Sequence, residues 1–226
     1  MSVPSKAMYP FHTYPLFTLD GAYEFGVATA KHLREDLIHG DFITADHDAG
    51  LMAQAIAKAG NGDHLEIGTL YGGSAILAAM TKQKFGLDGK VYCVDPLTGY
   101  YDEPRPGMVD RVFGNMKTCH VEDRIILTEA KSFPFPEALA GQKFVTSFID
   151  GDHTMAGAYS DWLNVYPLTS HFVLFDNYDY EHPDSGPRGG TVLDAAGKVM
   201  RTMGEHPWFP VYIGGITIIF SKWDTL

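Results

Sequence analysis

Residues 65–74 read Leu65-Glu66-Ile67-Gly68-Thr69-Leu70-Tyr71-Gly72-Gly73-Ser74. A short apolar run holding one acid gives way to glycines, and a helix-compatible segment, Gly73–Lys84, follows. Glycines at a strand-to-helix turn let backbone approach a ligand closely, and the helix start offers N–H groups that lack internal partners. The spacing is not the dinucleotide pattern Gly-x-Gly-x-x-Gly, because position 70 is Leu. Glu66, two residues before the first glycine, puts a carboxylate at the strand end. An acid there suits a cationic ligand better than a pyrophosphate.

Outward from this loop, short apolar runs alternate with helical stretches. The runs are His64–Gly68, Val91–Val94, Arg124–Leu127, Phe144–Ile149 and Phe172–Phe175. Between them lie Gly73–Lys84, Val109–Cys119, Ala156–Tyr166 and Thr191–Met203. Such β-α alternation predicts a parallel sheet covered on both faces, and runs that are apolar throughout suit doubly buried strands. The C-terminus breaks the rhythm: Phe209–Ile213 and Ile216–Ser221 flank Gly214-Gly215, which reads as a hairpin turn. The expectation is an α/β fold, a Rossmann-like αβα sandwich with a seven-stranded, mostly parallel sheet. Its order is 3-2-1-4-5-7-6, with strand 7 antiparallel.

Residues 1–226 read as one domain, with 1–60 as an N-terminal helical or covering segment and 61–226 as the ligand-binding core. Met8–Phe17 is aromatic and proline-containing. Asp48 to Ala59 places Leu51, Met52, Ala55, Ile56 and Ala59 on one helical face, with Asp46 or Asp48 as the expected N-cap.

The second strand sharpens the ligand. Val91-Tyr92-Cys93-Val94-Asp95 ends in an acid, and a carboxylate at that strand end can accept both ribose hydroxyls of a nucleoside. Two acids on adjacent strand ends, with a glycine loop between them, describe a site for a nucleoside with a cationic tail. S-adenosylmethionine, which carries no phosphate, fits that description.

Composition narrows the partners. With 17 basic and 28 acidic residues the net charge is −11. No Lys/Arg cluster is present, so nucleic acid and anionic membranes are not expected partners. Two cysteines are too few for a disulfide framework, and Cys93 reads as a small core residue. No signal-peptide pattern opens the chain, and the run 209–220 is too short to span a bilayer. A cytoplasmic protein acting on a small molecule is expected, and a homo-oligomer is compatible with the sequence.

Glu66-Ile-Gly68-x-x-x-Gly72-Gly-Ser74, Asp95, Phe148-Ile-Asp150-Gly-Asp152-His153 and Phe175-Asp176-Asn177 together resemble the class I S-adenosylmethionine-dependent methyltransferases. The likeness is to the group holding catechol-type and antibiotic-sugar O-methyltransferases, and it runs over residues 40 to 221. It implies that Glu66, Gly68, Leu70 and Ser74 line the methionine and ribose part of the cofactor. It further implies that Asp95 holds the ribose, that Ala130 and Lys131 border the adenine, and that Asp150 belongs to the cofactor site as well.

In an open α/β sheet, ligands bind in the crevice outside the carboxyl ends of the strands. Asp150, Asp176 and Asn177 are expected to converge there as hard oxygen ligands for a divalent metal such as Mg²⁺. A bound cation would orient and acidify an attacking hydroxyl, and a base would then take its proton. Asp152 and His153 are the two candidates for that base. The resemblance favours an acid at 152 by analogy with sugar methyltransferases, whereas catechol-type enzymes carry lysine where this chain has His153.

The remaining histidines, His12, His32, His39, His47, His64, His120 and His206, show no metal-ligand spacing and read as surface or loop residues. Trp162, Trp208 and Trp223 read as packing. Tyr100–Pro104 and Tyr178–Arg188 flank the expected crevice. Three rival readings share this pattern. A nucleotide-dependent oxidoreductase would want Gly-x-Gly-x-x-Gly. A metal-dependent hydrolase on Asp150, Asp152 and His153 would have no use for Glu66 or Asp95. A non-catalytic cofactor-binding protein would bind without turnover.

Overall fold

The computed structural model describes residues 21–37, 44–100, 103–104, 106–176, 192–202, 205–214 and 217–222. The sheet strands are β1 (Asp63–Ile67), β2 (Val91–Asp95), β3 (Ile125–Glu129), β4 (Phe144–Ile149), β5 (Thr169–Phe175), β6 (Trp208–Gly214) and β7 (Thr217–Lys222). Among the described residues these seven form one sheet in the order β3-β2-β1-β4-β5-β7-β6. β1 to β5 run parallel, and β7 pairs antiparallel with both β5 and β6. This is the order expected from the sequence, with strand 7 reversed.

Helices α1 (Ala22–His32, continued as a π-helical turn Leu33–Leu37), α2 (Asp46–Ala59), α3 (Gly73–Lys84) and α4 (Met108–Thr118) pack with one face of the sheet. On that face Ile56, Ile76, Val112, Phe148, Leu174 and Ile219 are buried together. The opposite face is covered by α5 (Met155–Val165) and α6 (Val192–Arg201), with Trp162, Phe175, Trp208 and Phe220 at its centre. Trp162 and Trp208 are 1% and 0% exposed, which makes them packing residues, and each large side chain so buried contributes about 1.5–3 kcal/mol. Cys93 is fully buried in the first core. No helix among the described residues is long and apolar enough to cross a membrane.

The alternation along β1 decides where its acid goes. Leu65 and Ile67 face the α5–α6 layer, so His64 and Glu66 must face the layer formed by α1 to α4. Both are 0% exposed. His64 is therefore not the surface residue its composition suggests. Its Nδ1 lies 2.7 Å from Thr146 Oγ1, and burial followed by the nearby Lys82 charge holds its pKa down at about 3.

Three expectations need correction. Neither Asp46 nor Asp48 caps α2: Ala45 occupies that position and offers no side-chain bond. Asp46 instead pairs with Arg34 at 2.7 Å. Asp48, 3% exposed, accepts the Thr217 hydroxyl at 2.6 Å and ties α2 to β7. β3 is an edge strand with one open face, Ile126 being 40% exposed, so it is not buried on both sides. The terminal hairpin closes one step later than the two glycines imply, since Gly214 is the last strand residue and pairs with Thr217. β6 also carries Pro210 beside a register slip, a placement open to an edge strand and not to a central one.

The tie between Thr217 and Asp48 sets a stability prediction. Thr217→Val is expected to cost about 1–3 kcal/mol, because a buried carboxylate loses a hydroxyl donor while shape is kept. Urea unfolding should show a lower midpoint with an unchanged slope.

Candidate active site

The carboxyl end of β1 passes into the glycine loop through backbone contacts that leave no room for a side chain. Gly68 has φ +86°, and a Cβ there would lie 2.1 Å from the Asp150 carbonyl oxygen. The Gly68 N–H donates to Val94 O at 2.9 Å, and the Asp150 N–H donates to Ile67 O at 2.8 Å. The ends of β1, β2 and β4 are thus held against one another by backbone. Leu70 adopts φ 46° and Gly72 φ 88°, which turns the chain into α3. Gly72 is the N-cap of that helix.

Asp95 fixes the loop. Its Oδ2 accepts the N–H groups of Thr69 at 2.7 Å and Leu70 at 2.9 Å, while Oδ1 accepts the Leu97 N–H at 2.7 Å. A carboxylate offers about four lone-pair positions, so three backbone bonds leave it about one for a ligand. The side chain expected to hold a ribose is first of all the anchor of the glycine loop. Thr69 and Leu97 were not legible as partners, because backbone donors carry no residue-type signal.

Glu66 lies beneath this loop. No hydrogen bond reaches either carboxylate oxygen, and the Thr69 hydroxyl beside it is likewise unpartnered. Burial pushes its pKa up to about 8, opposed by the Ser74 and Thr69 hydroxyls, which stand near without reaching hydrogen-bond geometry, and reinforced by Asp150 and Asp95. Unpartnered buried polar atoms are rare and costly in native proteins. A positively charged ligand would supply both the missing partners and the missing charge. Ser74 is 7% exposed on the first turn of α3, within the same group.

Ala130 follows β3, and its N–H donates to Asp95 O at 3.1 Å, so it borders the same crevice. Lys131 beside it is exposed. Asp161 is an acid the sequence reading passed over. It is 1% exposed on the apolar face of α5 with Ala158, Trp162 and Val165, and burial pushes its pKa up to about 6. Its Oδ2 stands 3.4 Å from where a Gly151 Cβ would be. A lone acid at helical spacing among apolar residues is the signal that would have found it.

Asp150 and Asp176 follow directly on paired positions, Ile149 and Phe175, of β4 and β5. The Asp176 N–H donates to Ile149 O at 3.0 Å, and Asp176 is 5% exposed. Asn177, the third expected metal ligand, lies outside the described residues, as do Trp223 and Tyr178–Arg188. Among the described residues no three His, Cys, Asp or Glu side chains gather into a metal-holding group. His153 Nε2 lies 3.1 Å from Asp150 Oδ1. Asp152 is exposed, and its Oδ1 accepts at 2.9 Å the N–H of Thr154, the N-cap of α5, so this carboxylate orders a turn.

A glycine loop pinned by one acid, over a second acid buried without partners, is compatible with several nucleoside-binding proteins. A family model described as "Methyltransferase domain" matches residues 65–178, which is half of the chain and holds every one of these groups. The chain belongs to that methyltransferase family. Solved structures agree on the fold. An O-methyltransferase from Bacillus cereus, in complex with SAH, is 17% identical with a TM-score of 0.59, covering 90% of this chain and 91% of its own. TomG from Streptomyces achromogenes, an O-methyltransferase of tomaymycin synthesis in complex with SAM, is 18% identical, with TM-score 0.57 and coverage of 88% and 89%. CalS11, a TDP-rhamnose 3'-O-methyltransferase of calicheamicin biosynthesis, is 16% identical, with TM-score 0.53 and coverage of 88% and 93%. No curated protein sequence matches the chain. At these identities the neighbours speak for the fold of this methyltransferase alone.

Proposed function

We propose that this methyltransferase uses S-adenosylmethionine to methylate a hydroxyl oxygen of a small molecule, a sugar or a phenol. The observation that carries the cofactor is Glu66, buried with both oxygens unpartnered under the glycine loop. A pyrophosphate would bring that carboxyl no cation, whereas a nucleoside with a cationic tail completes the group. S-adenosylmethionine supplies, when bound, a methyl group on a positively charged sulfur. Glu66 balances the ammonium of the cationic tail, which S-adenosylhomocysteine shares, the Asp95-pinned loop offers its backbone to the nucleoside, and Ala130 and Lys131 flank the base. Support for oxygen as the acceptor atom comes from the three structural neighbours, all of them O-methyltransferases.

Calorimetry with S-adenosylhomocysteine and NAD tests the cofactor. Low-micromolar binding of the former and none of the latter is expected, and the reverse would sink the proposal. Transfer of a labelled methyl to a panel of sugar nucleotides and catechols then tests the acceptor.

Metal assistance is a finer reading on Asp150, Asp176 and Asn177. Its support is the pair of acids at adjacent strand ends. Of the two candidate bases, His153 lies against Asp150 and the Asp152 carboxylate is engaged in its turn. Excess chelator should suppress turnover severalfold or more if the metal reading holds. Full activity in chelator would leave positioning and a base as the whole mechanism.

A further inference from the structure

One half-buried cluster lies outside everything above. His47, near the start of α2, is held between two phenols: Tyr23 of α1 lies 2.6 Å from Nδ1, and Tyr212 of β6 lies 2.6 Å from Nε2. All three side chains are half-buried. His47 is thus no surface residue. Two tyrosines and one neutral imidazole carry three polar protons for two contacts, so one hydroxyl proton always remains over. No other group among the described residues takes it. The imidazole tautomer sets the direction of the chain: with the ring proton on Nδ1 it donates to Tyr23, Tyr212 donates to Nε2, and the Tyr212 oxygen is left free to accept.

Position says what that end meets. α2 packs over β4 and β5. Its first turn reaches Thr217 through Asp48, and Thr217 stands one step beyond the Phe175–Ile218 pair, level with Asp176. Tyr212, paired with Ile219, lies on the same face, towards that end of the sheet. The cluster sits beside the carboxyl ends of β4 and β5, where an acceptor would approach the methyl group.

We propose that Tyr212, His47 and Tyr23 form a relay that takes the acceptor's proton, and that the acceptor is a phenol. This rests on the methyltransferase reading above. As the acceptor oxygen's lone pair bonds to the methyl carbon, the carbon–sulfur bond breaks and its electrons stay on sulfur. The acceptor proton passes to the Tyr212 oxygen while the Tyr212 proton passes to His47 Nε2. The positive charge lost at sulfur reappears as imidazolium, held by Tyr23 at Nδ1. The groups facing the relay are Glu24 from α1 and Asp46 and Asp48 from α2. Asp46 is offset by Arg34 and Lys31, while buried Asp48 acts on both phenols. Proton affinity selects the substrate class. The proton ends on an imidazole, ordinarily near about 6.5, and a phenol at about 10 lies within a few units of it. An aliphatic alcohol, nearer water at about 15.7, would leave the relay far uphill.

The test uses 4-nitrocatechol, whose ionisation is visible, on protein saturated with S-adenosylhomocysteine. Wild type is expected to bind it with an ionisation midpoint below that of the free probe. Tyr212→Phe and His47→Gln should each raise that midpoint by about one unit, a tenfold loss of the ionised form, with Tyr23→Phe in between. Retained S-adenosylhomocysteine affinity and melting temperature show that each variant is folded. Equal midpoints in wild type and Tyr212→Phe, or no probe binding to the saturated wild type, would overturn the relay alone. Failure of wild type to bind S-adenosylhomocysteine would bring down the cofactor reading and the relay with it.

Discussion

Glu66→Gln is expected to weaken S-adenosylhomocysteine binding by roughly 10- to 100-fold while making the free protein more stable above neutral pH. The two effects share one cause. A buried carboxylate without partners costs folding energy, and a cationic ligand recovers it. The folded pKa, about 8, lies above the ordinary 4.5, so the folded state keeps this proton longer than the unfolded chain does. Stability should therefore fall as pH rises from 4.5 to 8 and level off beyond. At about 1.4 kcal/mol per unit, the loss is on the order of a few kcal/mol. The amide has nothing to ionise, so variant and wild type should melt alike near pH 4.5 and diverge by pH 9. Ligand binding at pH 7 should also release a proton from wild type, seen as a dependence of calorimetric heat on the buffer's ionisation enthalpy. The loss in affinity follows from the roughly 1.5–3 kcal/mol of a bond to a charged group. Equal affinity with no proton release would show that Glu66 does not face the ligand.

Asp95→Ala should be the most damaging single substitution at the site. It strips a charged acceptor from the N–H groups of Thr69, Leu70 and Leu97 together. Removing one partner of a buried charged bond leaves the other unsatisfied, and three such losses in one loop are expected to cost about 3–5 kcal/mol. Asp95→Asn keeps one oxygen but turns an NH₂ towards donors, so it should fall between alanine and wild type. Urea unfolding measures the stability, and calorimetry should show S-adenosylhomocysteine binding weakened at least tenfold in both variants. An alanine variant within about 1 kcal/mol of wild type would mean the loop holds its shape without this anchor.

The backbone of the fold was legible because its signals are local and repeated. The runs and helices of residues 63–176 sit within a few residues of their expected bounds, and the reversed last strand followed from the terminal hairpin. The glycine loop and its two acids were legible for the same reason, since φ-positive turns demand particular residues. What escaped were roles decided by partners far along the chain. Asp48 reads as a cap until Thr217, 169 residues away, claims it. His47 reads as a surface residue until β6 brings Tyr212 to it, 165 residues on. Asp95 reads as a ribose acceptor because its type and place say so, while its three backbone donors leave no trace in residue identity. Among the expected metal ligands, Asp150 and Asp176 come together because parallel register aligns their strand ends.

The two borders of the sheet are not alike, and this bears on how copies of the chain can meet. Pro210 gives β6 one rung with no N–H to offer, and the slip that follows it bends the strand. An extended segment from a neighbouring molecule would find an interrupted ladder there. β3, at the other border, has no proline between Ile125 and Glu129, and Ile126 and Glu129 on it are exposed. Growth of the sheet from molecule to molecule, during refolding at high concentration for instance, is thus confined to the β3 side. A charged residue in place of the half-exposed Ile126 is the change that would close that side too.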